Sequence, residues 1–186
     1  MQQRCFWVTD SKLYEEYHDK EWGQPVFDDA TLFEFLILET FQAGLSWITI
    51  LNKRENFRKA FDNFDYQKIA IYPESKFQSL LIDTGIIRNK LKIRSAIHNA
   101  QVFMEVQQEF GTFSKFIWSY VNETPIHNKF QKRAEVPVTT ELSDTISKDL
   151  KKNGFKFVGS TVIYAYMQAI GMVNDHTTDC FIYVEK

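Results

Sequence analysis

The sequence predicts an all-α protein, and three observations carry the prediction. Apolar residues recur with helical spacing in almost every segment. No stretch alternates apolar and polar residues as a half-buried strand does. Glycines fall where helical runs stop. A first helix is expected around Tyr14, Tyr17 and His18, which lie within one turn of each other. Over 29–51, Leu32, Phe33, Phe35, Leu36, Leu38 and Phe41 precede a break at Ala43-Gly44, and Trp47, Ile48, Ile50 and Leu51 follow it. That pattern reads as two helices joined at a tight glycine corner, the first capped by Asp28. Further helices are expected over 54–61, 66–71, 74–83, 88–110, 112–120, 143–153 and 159–171. Asn153-Gly154 and Gly171 read as helix stops and Ser143 as a cap, while the polar stretch 122–141, with Pro125 and Pro137, reads as a long surface loop.

Composition narrows the class. With 186 residues, 44% of them hydrophobic and 16% aromatic, the chain can bury a full core. It carries no internal repeat, low-complexity linker or long charge run, so 1–186 is expected to form one unit. No apolar run is long enough to cross a bilayer and no N-terminal apolar signal is evident, which makes a soluble, cytoplasmic protein the expectation. A net charge of −2 argues against a basic coat for bulk nucleic-acid binding but leaves room for a local basic face.

Three constellations carry chemistry. The two cysteines and two of the four histidines fall at opposite ends of the chain, as Cys5-x12-His18 and His176-x3-Cys180. Two thiolates and two imidazoles are the ligand types of a closed structural zinc site, which here would clasp the termini. Neither pair alone is a recognised metal motif, and two buried thiols beside two ordinary histidines fit the spacing as well. In the second constellation, over 80–94, an apolar helix end runs into Thr84-Gly85-Ile86-Ile87, and a helix opens behind it with Arg88, Asn89 and Lys90. A glycine hairpin before a helix N-terminus offers unpaired N–H groups to a phosphate, and Arg88, Lys90, Lys92 and Arg94 would add cationic reach. An ordinary helical corner with a solvated basic face has the same pattern. The third constellation crowds Trp7, Tyr14, Tyr17, Trp22 and Trp47 around one acid, Glu39. Aromatic walls stack on a nucleobase and attract a cation, and a carboxylate among them selects for positive charge or an amino donor. Glu39 could equally be an acid at the end of a buried helix, paired with backbone or an arginine.

Beyond these constellations, the sequence resembles the bacterial 3-methyladenine DNA glycosylase I family over nearly its whole length. The resemblance rests on Arg4-Cys5 with Trp7, Tyr14-x2-Tyr17-His18-Asp19, Glu21-Trp22-Gly23, and Leu38-Glu39 followed by Gln42-Ala43-Gly44-Leu45-Ser46-Trp47. It continues through Lys53-Arg54-Glu55, Gly85-Ile86-Ile87-Arg88, Trp118-Ser119-Tyr120-Val121-Asn122, the run from Gly154 to Gly159, and Asn174-Asp175-His176. It implies a two-lobed helix-hairpin-helix glycosylase fold, with the hairpin around 78–100 and structural zinc held by Cys5, His18, His176 and Cys180. The implied reaction is hydrolysis of the N-glycosidic bond of 3-methyladenine in alkylated double-stranded DNA, releasing the free base and leaving an abasic site. The implied roles place Glu39 on the base edge, with possible catalytic assistance, and Tyr14, Tyr17, Trp22 and Trp47 around the base. Gly85, Arg88 and Lys90 would hold the DNA backbone, and Leu45, just past the glycine corner, is the candidate plug for the vacated stack. No Schiff-base lysine or catalytic aspartate stands in a recognisable context after the hairpin, so a monofunctional enzyme working as a monomer is expected. A zinc-clasped module that senses damaged bases without cutting is the competing expectation.

Overall fold

A computed structural model describes residues 2–183. Ten α-helices account for most of it: α1 Lys12–Lys20, α2 Asp29–Gln42, α3 Trp47–Leu51, α4 Arg54–Ala60, α5 Tyr66–Ala70, α6 Glu74–Ile82, α7 Lys90–Phe110, α8 Phe113–Trp118, α9 Glu141–Lys152 and α10 Ser160–Ala169. The central one is α2. Every residue from Leu32 to Phe41 except Glu34 is buried, and a helix apolar nearly all round must lie inside the protein. Helices α3, α7, α8 and α10 pack around it. Phenylalanines fill the contacts: ring centroids stand 5.0 Å apart for Phe33 and Phe103, 4.3 Å for Phe103 and Phe113, and 4.8 Å for Phe41 and Phe57. Those edge-on, tilted and stacked ring contacts show what part of the chain's unusual phenylalanine content does.

Polar groups fix where the helices begin. Asp28 caps α2 by accepting from the Thr31 amide, as expected. Asp29 then reaches across to accept from the amides of Phe113 and Ser114, so the start of α2 also caps the start of α8. Several boundaries differ from the sequence reading. Helix α7 begins at Lys90 because the Asn89 side chain caps the Leu91 and Lys92 amides. Helix α9 begins at Glu141: Thr140 is its cap, and Ser143, expected to be the cap, closes a reciprocal capping box as the third helical residue. Thr112 lies outside α8 as its cap, and the chain beyond Trp118 tightens into a 3₁₀ turn, Ser119–Val121.

The largest departure is in the 122–141 stretch. It holds β1, Ile126–His127, paired in parallel with β2, Val173–Asn174, and a 3₁₀ turn at Arg133–Glu135. Two residues per strand leave no alternation to read, so this pairing is invisible to a periodicity test. Behind α10 the chain turns at Gly171, whose φ is +68° and where a Cβ would fall 2.3 Å from the Gln24 carbonyl carbon. Only glycine fits there, and the turn brings β2 and the His176 segment back beside the N-terminal residues. No helix among the described residues is long and apolar enough to cross a membrane.

Candidate active site and metal cluster

Helices α1, α2, α3 and α10 meet around a cavity of about 790 Å³, within the size range of small-molecule sites. Tyr14 and Tyr17 come from α1, Glu39 and Gln42 from α2, Trp47 from α3, and Trp7 and Trp22 from the segments flanking α1. The five residues expected to surround a base therefore share one cavity. Trp7 sits at the centre of the aromatic wall, its ring 5.1 Å from Tyr14, 5.0 Å from Trp22 and 5.3 Å from His18. Tyr17 and Trp47 are 5.3 Å apart, with rings tilted by 46°.

Glu39 is 3% exposed and Oε2 has no hydrogen-bond partner. The arginine pairing open to it in sequence is taken up elsewhere: Arg54 binds Glu21 and Glu34, each at 2.6 Å. Burial alone pushes the Glu39 carboxyl up to about 8. Burial, and then the charge of Glu39, also hold the Tyr17 hydroxyl well above its ordinary value. Among the described residues, the buried side-chain polar atoms without a partner are Glu39 Oε2, Trp7 Nε1 and Trp47 Nε1. All three residues line this cavity. Unpaired buried polar groups are costly, and three around one space define a site that a flat ligand with donors and acceptors on its rim would complete.

Other lining residues carry no pocket signal of their own in the sequence, Asp175 entering only through its run with His176 and Pro137 only as a loop residue. Arg133, Val136 and Pro137 reach the cavity from the expected surface loop, and Tyr164, Gln168 and Asp175 line it from α10 and the segment after β2. Single polar residues inside a helical pattern look like any others until the fold brings them together. The two histidines outside the metal cluster, His98 and His127, are half-buried, and the His98 ring lies 3.0 Å from the Gly154 carbonyl.

Beside the aromatic wall, Cys5, His18, His176 and Cys180 converge, all buried, with ligand atoms within 4.8 Å of one another. Cys5 Sγ is 3.4 Å from His176 Nδ1, and Cys180 Sγ is 3.5 Å from His18 Nε2 and 3.6 Å from His176 Nδ1. The outward nitrogens are tied down: His18 Nδ1 to Asp19 at 2.8 Å, and His176 Nε2 to the Trp22 carbonyl at 3.2 Å. Arg4 in turn holds Asp19 at 2.7 Å. Such outer contacts fix ring orientation at metal sites. Gly23 admits the close approach: its φ is +75°, and a Cβ there would press within 3.1 Å of His176 Nε2. The cluster is a set able to hold a metal ion.

The α6–α7 turn lies against the α3–α4 corner. Lys53 Nζ donates to the carbonyls of Thr84 and Gly85, both at 3.2 Å, and the Gly85 amide donates to Asp83 at 2.8 Å. Arg88 and Lys90 stand exposed beyond it, and Leu45 is exposed at the glycine corner. Lys92 and Arg94 are not free for phosphate, contrary to the sequence expectation. Lys92 is buried and caps the end of α2, donating to the carbonyls of Phe41 at 2.8 Å and Ala43 at 2.5 Å. Arg94 pairs with Glu74 at 2.8 Å over the Phe77 ring.

A helical protein with an unpartnered buried carboxylate among aromatic walls has the features of a nucleobase-binding enzyme. The chain belongs to the methyladenine glycosylase family, whose model matches residues 7–183. It is 48% identical to DNA-3-methyladenine glycosylase 1 of Escherichia coli (strain K12), an alignment covering 97% of each chain. It also superimposes on a crystal structure of 3-methyladenine DNA glycosylase I with a TM-score of 0.95 and 47% identity, covering 98% of this chain and all of that one. A structure of the Staphylococcus aureus 3-methyladenine DNA glycosylase I, solved for the basis of 3-methyladenine recognition, gives 0.94 at 34% identity, covering 98% and 97%.

Proposed function

We propose that this chain excises 3-methyladenine from alkylated DNA by hydrolysing the N-glycosidic bond, releasing the free base and leaving an abasic site. The observation that carries the reading is the buried Glu39 carboxyl whose Oε2 has no partner within an aromatic cavity. Methylation at N3 makes the base cationic and a good leaving group, so the task is chiefly to find, extrude and hold it. Glu39 accepts from the amino edge and its charge favours the positive base, while Trp47 and Tyr17 stack on it and Tyr14 and Trp22 complete the wall. The base loses its charge as it leaves, so what accelerates the step is orientation retained at the transition state rather than tight binding of the cation. Water alone completes the reaction, with no covalent imine and no strand cleavage.

Around that pocket, the α6–α7 turn acts as a helix-hairpin-helix. The Gly85 amide, expected to bind phosphate, is committed to Asp83, so Gly85 shapes the turn while Arg88 and Lys90 engage the phosphate backbone of the duplex, and Leu45 fills the gap left by the extruded base. The cysteine-histidine cluster holds structural zinc. Zinc bonds of ~2.3 Å to sulfur and ~2.0–2.1 Å to nitrogen imply tetrahedral S···N edges of about 3.6 Å. The S···N separations of 3.4, 3.5 and 3.6 Å match that size. Four protein ligands leave no open position, so the ion's part is to clasp the termini and brace the wall bearing Trp7, Tyr14 and Trp22. The enzyme works as a cytoplasmic monomer, with residues 1–186 forming one catalytic unit of two interleaved helical lobes.

The test is release of free base from methylated duplex DNA by the purified protein, resolved by chromatography, with Glu39→Gln alongside. Release of 3-methyladenine by the wild type, and at least ~100-fold less by the variant, is expected. A folded wild-type protein that binds methylated duplex and frees no base would instead be a damage-sensing module.

A further inference from the structure

Asp175 is a buried carboxylate that the reading above leaves unused. It is 2% exposed and lines the same cavity as Glu39. Three donors converge on it: the Tyr164 hydroxyl at 2.6 Å, Gln168 Nε2 at 2.8 Å and Asn128 Nδ2 at 2.6 Å. A carboxylate only accepts, so it fixes which end of each amide faces it. With Nε2 committed to Asp175, the Gln168 side-chain oxygen is turned the other way. That oxygen accepts no hydrogen bond among the described residues, and Gln168 is half-buried at the cavity wall. The residue is anchored from behind as well, its backbone carbonyl accepting from the amides of Gly23 and Gly171 at 3.1 and 3.2 Å. The result is a neutral acceptor of fixed orientation, on a helix other than the one that carries Glu39.

We propose that Gln168, its amide locked by Asp175, holds the attacking water on the sugar side of the cavity. The proposal deepens the base-excision reading and rests on it. In a purine the amino group and the glycosidic nitrogen lie at opposite ends of the ring system. A base whose amino edge meets Glu39 therefore directs the bond to be broken away from α2, toward lining supplied by other elements, of which α10 is one. A water accepted there by Gln168 through one O–H keeps a lone pair for C1′. Its oxygen bonds to C1′ as the C1′–N bond breaks, the bonding pair leaves with the base and cancels its charge, and the water's proton passes to solvent. Gln168 orients and takes no proton. Asp175 is a positioning residue acting through it.

The test compares Gln168→Met, which keeps the volume and removes the acceptor, with Asp175→Asn, which can donate and so unlocks the amide. Three quantities are read for each: kcat for base release, KM for methylated duplex, and inhibition by free 3-methyladenine. Loss of about 10- to 100-fold in kcat for Gln168→Met is expected, with KM and free-base inhibition within about twofold of wild type. Asp175→Asn should show a smaller loss in the same quantity. Unchanged kcat in Gln168→Met, or a loss matched by weaker free-base inhibition, overturns the proposal. Wild-type protein that frees no base overturns the underlying reading instead.

Discussion

At the scale of single residues, Glu39 shows a site held at the expense of the fold. Its carboxyl is lifted from 4.5 to about 8 by burial. Between those values the unfolded chain has lost the proton and the folded chain keeps it. Glu39 therefore opposes folding increasingly as pH rises from 4.5 to 8, and leaves stability untouched below that window. Glu39→Gln removes the titration. We expect the variant to melt at or above wild type, with the difference growing from pH 5 to pH 8 by at least about 2 °C, while base release is lost. A wild-type protein whose melting relative to the variant is flat across that range would place Glu39 in a solvated setting. The same group predicts a rise in kcat/KM toward pH 8, since the free enzyme must shed this proton to pair with a cationic base. Sequence alone left Glu39 ambiguous between a paired core acid and a ligand. The resemblance singled it out, and geometry supplied the reason: Arg54, its nearest plausible partner in sequence, is taken by Glu21 and Glu34. Gln168 had no such signal, because a glutamine in a helix says nothing of which way its amide is turned, and Asp175 stood out only as the neighbour of His176 in the resemblance.

At the scale of elements, most helices were legible because their apolar spacing was regular, and the starts were misplaced where polar caps decide. Asn89 and Thr140 each terminate a helix through one side-chain bond pattern that periodicity does not weigh. The basic run from Arg88 into α7 departs from the sequence reading for a related reason. Alternate residues of a helix face different ways, so of four cations two face solvent, Arg94 pairs with Glu74, and Lys92 plugs the C-terminal carbonyls of α2. That plug ties the start of α7 directly to the end of the helix bearing Glu39, so the proposed DNA-binding turn and the base pocket are joined by one buried contact. Removing the two exposed cations should separate the functions. In Arg88→Ala/Lys90→Ala, KM for methylated duplex is expected to rise and the slope of log affinity against log salt to shrink by about 1 per lost phosphate contact, while inhibition by free 3-methyladenine stays unchanged. An unaltered salt slope would remove the turn from the DNA-binding surface.

At the scale of the whole molecule, the cluster of Cys5, His18, His176 and Cys180 joins chain ends more than 150 residues apart in sequence, while the aromatic wall leans directly on it. The neighbouring Cys180 and burial push the Cys5 thiol up, while Cys5 and the two histidines draw Cys180 down. A bound dication lets both ionise, and its binding free energy becomes folding free energy. Cys180→Ala should therefore lose bound zinc and melt roughly 10 °C lower, the scale of a few kcal/mol in a chain of this length. His18 stacks beside Trp22 and packs edge-on against Trp7, so the lost brace should also weaken inhibition by free 3-methyladenine. A strong chelator should impose the same losses on wild type and add nothing to the variant, because both act on one site. Full zinc content with unchanged melting in Cys180→Ala would dissolve the clasp. A melting drop without loss of zinc would reduce Cys180 to packing, with the ion held elsewhere.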